Sequence, residues 1–124
     1  MLLLDTNVLS ELRHGKPGQA PQVRDWAASV AESELYLCTV TIMELESGVQ
    51  RLEAKAPPQG QALRRWLDAV KGEFRTRVLA LNEAAASSAA AVHARNPTME
   101  VRDAMIPGIA QAHGCTVITP NVRH

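Results

Sequence analysis

Short continuous apolar runs alternate along the chain with stretches of helical period. The runs are Leu2-Leu3-Leu4, Leu35-Tyr36-Leu37-Cys38-Thr39-Val40, Val78-Leu79-Ala80-Leu81 and Cys115-Thr116-Val117-Ile118-Thr119. Unbroken apolar character of this length suits strands covered on both faces. Between the runs, Val23, Trp26, Ala27 and Val30 follow an i, i+3, i+4, i+7 spacing. Ile42, Leu45, Val49 and Leu52 trace a second stripe, and Leu63, Trp66, Leu67, Val70 and Phe74 a third. Asn82 has the chemistry of an N-cap for an Ala-rich helix over 83–95. Thr98 has it for a last helix that Gly114 closes at C′. Segments 14–21 and 55–60 carry Gly and Pro and are predicted to be loops. The alternation predicts an α/β domain with a parallel sheet and right-handed crossovers. Ligands of such sheets sit beyond the carboxyl ends of the strands.

Composition narrows the partners. The 124 residues fit a single domain, 1–124, with 46% hydrophobic residues and only 3% aromatics, so the core is aliphatic. Thirteen Lys and Arg balance thirteen Asp and Glu. A polybasic coat for nucleic acid or membrane is therefore not indicated, and a phosphate-bearing partner needs a local basic patch or a bound cation. Cys38 and Cys115 stand far apart in apolar runs and read as small core residues. No apolar stretch reaches the ~18 residues of a membrane span. The N-terminus has no basic segment and an acid at Asp5, unlike a signal peptide. A cytoplasmic protein is expected.

Candidate chemistry lies at the strand ends. Asp5 closes the first run, Glu44 falls four residues past the second in the first turn of the next helix, and Asn121 follows the last. Asp103, just inside the last helix, joins them only if that helix starts at the same edge. Carboxylates gathered in one pocket repel each other, and a hard divalent cation resolves the conflict. Mg²⁺ or Mn²⁺ bridges oxygen ligands to phosphate and activates water. The plainer alternative is that these acids cap helices or lie on a solvated surface.

Four segments also carry a resemblance. Leu3-Leu4-Asp5-Thr6-Asn7-Val8-Leu9-Ser10-Glu11 is similar to the opening of PIN-domain ribonucleases of the VapC/FitB type, toxins of type II toxin–antitoxin pairs. Thr39 to Gly48 resembles the family's second acidic motif, Val101 to Ile106 its third, and His113 to Asn121 its final strand. The resemblance implies a PIN-like three-layer fold, with a central, mostly parallel four-stranded sheet flanked by helices. It implies a metal-dependent endoribonuclease. Asp5, Glu44 and Asp103 would hold Mg²⁺ or Mn²⁺, and Asn121 would stand where many members carry a fourth acid. Thr6 and Thr119 match hydroxyl positions that orient the acids. A VapB/FitA-like antitoxin, an RNA substrate and a homodimer are the implied partners.

Two departures from the family bear on activity. Pro107 stands where a helix former is usual; it either kinks the helix on the turn of Asp103 or sits near a helix start at 104–106. The chain ends at His124 where members usually continue into a further short strand, which would leave a sheet edge open. These departures motivate a second expectation, a catalytically impaired protein that binds RNA or antitoxin without cleaving. A nucleotide-binding or phosphoacceptor domain is weaker, for want of a P-loop or a G-x-G-x-x-G motif.

Remaining residues have two readings each. Arg13, His14 and Lys16 either contact RNA phosphates or lie in a solvated loop. Arg64 and Arg65 fall off the apolar stripe and are predicted to face solvent. Glu46 and Glu11 either join the acidic pocket or pair with arginines. Leu63, Trp66, Leu67 and Phe74 belong to the core or to a partner groove. His14, His93, His113 and His124 share no zinc-ligand spacing.

Overall fold

Side-chain alternation along the first strand sorts the core into two halves. In the computed structural model, which describes residues 1–13 and 21–120, strand β1 spans Leu2–Leu4. Leu2 and Leu4 pack to one side of it and Leu3 to the other, as the two-residue period requires. Strand β2 (Leu35–Cys38) repeats the rule, with Leu35 and Leu37 on one face and Tyr36 and Cys38 on the opposite one. Strands β3 (Val78–Leu79) and β4 (Thr116–Ile118) complete a sheet of order β3-β2-β1-β4. Every pairing is parallel: Leu2 aligns with Leu35 and with Thr116, and Leu37 with Val78.

Helices cover both faces, giving the expected three layers. Helices α1 (Thr6–Glu11), α2 (Pro21–Ala28), α3 (Thr39–Lys55) and α4 (Pro57–Glu73) enclose the half-core of Leu4, Val8, Val23, Leu37, Val70 and Phe74. Helices α5 (Glu83–Arg95) and α6 (Val101–His113) enclose that of Leu3, Cys38, Ala85, Ile109 and Ala110. Leu3, Leu4 and Leu37 are wholly buried, each worth roughly 1.5–3 kcal/mol of transfer free energy. Small residues set the close approach of α5 and α6: a Cβ on Gly108 would lie 2.5 Å from the Ala89 Cα.

Several boundaries depart from expectation. Segment 55–60 is not a loop. Only Ala56 separates α3 from α4, because Pro57 and Pro58 occupy the first turn, where a missing N–H costs no helical bond. Gly60 then lets the helices touch, since a Cβ there would meet the Glu53 backbone at 2.5 Å. The second strand stops at Cys38 rather than Val40. The last helix is capped at Glu100, not Thr98, and Gly114 closes it with a left-handed φ of 71°. Pro107 lies in the interior of that helix, which excludes a start at 104–106. Its missing N–H leaves the Asp103 carbonyl without its helical partner. Asn82 caps α5 as expected, its side chain accepting from the Ala85 N–H at 2.9 Å.

Candidate functional site

The strand order decides where a ligand site belongs. From β1 the chain steps to β2 and β3 on one side, then crosses back to place β4 on the other. The carboxyl ends of β1 and β4 therefore flank the switch point, where α/β sheets open a crevice. A cleft of about 330 Å³ opens there, lined by Asp5, Thr6, Asn7, Val40, Glu44, Arg102, Asp103, Ile106, Pro107, Val117 and Thr119.

Each acid reaches the cleft by a different route. Asp5 directly follows β1 and caps α1, its Oδ1 accepting the Asn7 backbone N–H at 3.1 Å. The capping alternative thus holds for Asp5, but the same residue also lines the cleft. Asp103 stands in the first turn of α6, exposed, and that helix does start at the sheet edge that carries Asp5. Glu44 corrects its expected place. Because α3 begins at Thr39, Glu44 is in the second turn, away from the helix terminus.

A hydrogen-bond chain fixes Glu44. Thr6 Oγ1 donates to Glu44 Oε1 at 2.6 Å and lies 3.0 Å from Thr41 Oγ1. A hydroxyl has one proton, so Thr41 must be the donor to Thr6. Thr41, wholly buried, is itself 3.6 Å from Cys38 Sγ, leaving the thiol to donate. The order Cys38, Thr41, Thr6, Glu44 thus points every proton toward the carboxylate. Arg102 Nη2 closes the other side, donating to Glu44 Oε2 at 3.1 Å. Sequence reasoning had assigned roles to neither Thr41 nor Arg102. One signal was available for Arg102: a cation in the first turn of a helix opposes the macrodipole, so it needs a partner elsewhere.

The donor set is made of oxygen alone, the chemistry of Mg²⁺ or Mn²⁺ rather than of zinc. No three of the described acidic, His or Cys side chains converge into a cage as they stand. Glu44 is turned instead to Thr6 and Arg102. The donors fit a hard cation in type, and such an ion would compete with Arg102 for Glu44.

Other candidates fall elsewhere. Thr119 lines the cleft and is exposed. Asn121, His14, Lys16 and His124, with the sheet edge expected beyond Pro120, lie outside the described residues. Arg13 lines a neighbouring hollow of about 260 Å³ whose wall includes Glu44, Leu63 and Trp66. Glu46 does not join the acids. It accepts two parallel bonds from Arg64, at 2.8 and 2.9 Å, and one from Lys71 at 2.6 Å. Those hydrogen bonds hold its carboxyl far below the ordinary 4.5. Arg64 is therefore not a solvent-facing residue: it clamps α4 to α3 through Glu46 and Glu53, while Arg65 is exposed as expected. Leu67 and Phe74 are core; Leu63 and Trp66 are half-buried.

An acidic, oxygen-donor cleft at the switch point of a four-stranded parallel sheet is the arrangement of a PIN domain. The PIN-domain family model matches residues 2–124, and the chain belongs to that family. Plasmid stability protein StbB of Pseudomonas syringae pv. tomato is 36% identical over 96% of this chain and 86% of its own. Ribonuclease VapC14 of Mycobacterium tuberculosis is 46% identical over 53% of this chain and 62% of its own. The crystal structure of FitAcB from Neisseria gonorrhoeae superposes with a TM-score of 0.85 at 31% identity, covering 96% of this chain and 86% of that one. The resemblance to the VapC/FitB type thus holds along the whole fold.

Proposed function

We propose that this protein is a Mg²⁺- or Mn²⁺-dependent endoribonuclease, the toxin of a type II toxin–antitoxin pair, carried by one PIN domain over 1–124. The observation that carries this reading is the cleft in which three elements far apart in sequence present Asp5, Glu44 and Asp103 together. Asp5, Glu44 and Asp103 would hold the ion, and the resemblance gives Asn121 the place of the fourth acid of other members. A bound divalent ion supplies Lewis-acid stabilisation of charge on phosphate oxygens and a better water nucleophile. Thr6 keeps Glu44 aimed, and Thr119 offers a hydroxyl at the rim. Arg13, His14 and Lys16 would meet backbone phosphates and set register without reading sequence. RNA fits a chain with no net charge, because a metal site replaces a broad basic surface.

Relatives support the biology. A ribonuclease named VapC14 is among them, and FitAcB is a structural neighbour. A small VapB/FitA-like antitoxin and a second copy of this chain are the partners that follow. No described helix is long and apolar enough to cross a membrane, and a cytoplasmic site of action fits an RNA substrate.

The test is cleavage of a mixed-sequence RNA with added Mn²⁺, with chelator, and with Asp5→Asn. Cleavage lost in the latter two supports the proposal; cleavage that survives both defeats it. A second reading, a PIN-fold protein that binds without cutting, is favoured by Pro107 inside α6. RNA binding with no cleavage under any metal would select it.

A further inference from the structure

Among the described residues that line the cleft, Arg102 is the only cation. It stands at the second position of α6, where the positive end of the helix dipole disfavours it. Glu44 compensates through the 3.1 Å contact to Oε2. The pair is lopsided: the Arg102 side chain is 61% exposed and that of Glu44 26%. An ion pair with so exposed a partner holds weakly and opens at little cost. Breaking it would not disorient the acid, because Thr6 retains the other oxygen at 2.6 Å.

We infer that Arg102 is an exchangeable counter-ion. It holds Glu44 until a divalent cation takes that carboxylate, and the released guanidinium then grips a phosphate of the RNA backbone. The inference rests on the metal-dependent nuclease reading above. A guanidinium and a divalent cation compete for one oxygen, so the two states exclude each other. The planar fork of Arg suits two-point recognition of phosphate, and Arg102 immediately precedes the acid Asp103 in sequence. Arg102 is thus a counter-ion to Glu44 in one state and a substrate-binding residue in the other.

Mn²⁺ alone is titrated calorimetrically into the metal-free protein, wild type against Arg102→Gln and Arg102→Lys, after unfolding curves confirm that all three fold. Arg102→Gln is expected to bind Mn²⁺ about three- to fivefold tighter, with Arg102→Lys between it and wild type. At saturating Mn²⁺, Arg102→Gln is expected to raise KM for RNA more than it lowers kcat. Its kcat/KM is expected to lose about 0.7 of its log–log salt slope, the share of one phosphate contact on a single strand. Equal Mn²⁺ affinities overturn the exchange and leave the nuclease reading standing. Tighter Mn²⁺ with unchanged KM and salt slope overturns the phosphate contact. No Mn²⁺ binding by any of the three overturns the metal reading, and this inference with it.

Discussion

Glu44 and Glu46 lie two residues apart on α3 and meet opposite fates. Their side chains leave the helix about 200° apart, at 100° per residue, so one faces the cleft and the other faces α4. Glu46 is saturated: Arg64, Lys71 and Gln50 supply four donors to its two oxygens. Glu44 has two, one from a hydroxyl and one from an exposed Arg. A carboxylate whose partners are built into two packed helices is a fastener. One whose partners leave lone pairs open beside two more acids is a ligand in waiting. Residue type and local spacing are the same; the surroundings differ.

The largest break in this comparison comes at the cleft. Replacement of partners one shell out from a metal typically costs 10–100-fold, so Asp103→Asn is expected to lower cleavage by more than about 100-fold. A gel assay of RNA fragments checks it. Thr6→Val removes the 2.6 Å tether of Glu44 and is expected to weaken Mn²⁺ binding by roughly 10–100-fold, read by calorimetry. Urea unfolding should also register a loss of about 1–3 kcal/mol, because the wholly buried Thr41 hydroxyl loses its acceptor.

The remaining predictions concern stability. Pro107→Ala restores an N–H beneath the Asp103 carbonyl. A helix-interior Pro costs up to roughly 3 kcal/mol, so a gain of about 1–3 kcal/mol in urea unfolding is expected. Cleavage by the same variant shows whether the proline serves the cleft. Glu46→Gln is the counterpart of the Glu44 experiments. It is expected to lose about 1–2 kcal/mol of stability, between an exposed pair and a charged hydrogen bond, with cleavage changed less than about twofold. The deficit has a pH signature. The carboxyl of Glu46 is held below its ordinary 4.5 in the folded state by Arg64 and Lys71, so its contribution is present above that value and lost as pH falls below it. The stability gap between wild type and Glu46→Gln should narrow in acid. A gap that persists unchanged down to pH 3 would contradict the assignment.

Much of this was legible before any coordinates. The continuous apolar runs marked all four strands, and the Asn82 cap and Gly114 stop marked two helix ends, because these signals depend on neighbours in sequence. The prolines at 57 and 58 misled, since Pro ends a helix but also begins one, and only the packing of Gly60 on Glu53 chose between them. Arg64 misled for a related reason: an off-stripe charge faces solvent unless another helix brings a carboxylate to it.

The order of residues along the polymer determined a parallel α/β sheet, an aliphatic two-sided core and two acids, Asp5 and Asp103, near strand or helix ends. Those are consequences of side-chain period, backbone caps and residue chemistry, all of which act over a few bonds. The tertiary structure alone decided that β4 lies against β1 rather than β3, which brings Asp103 and Thr119 to Asp5. It alone turned Glu46 toward Arg64 and gave Glu44 to Thr6 and Arg102. Which charge meets which over a span of 58 residues depends on how the helices pack across the sheet, and no local pattern encodes it.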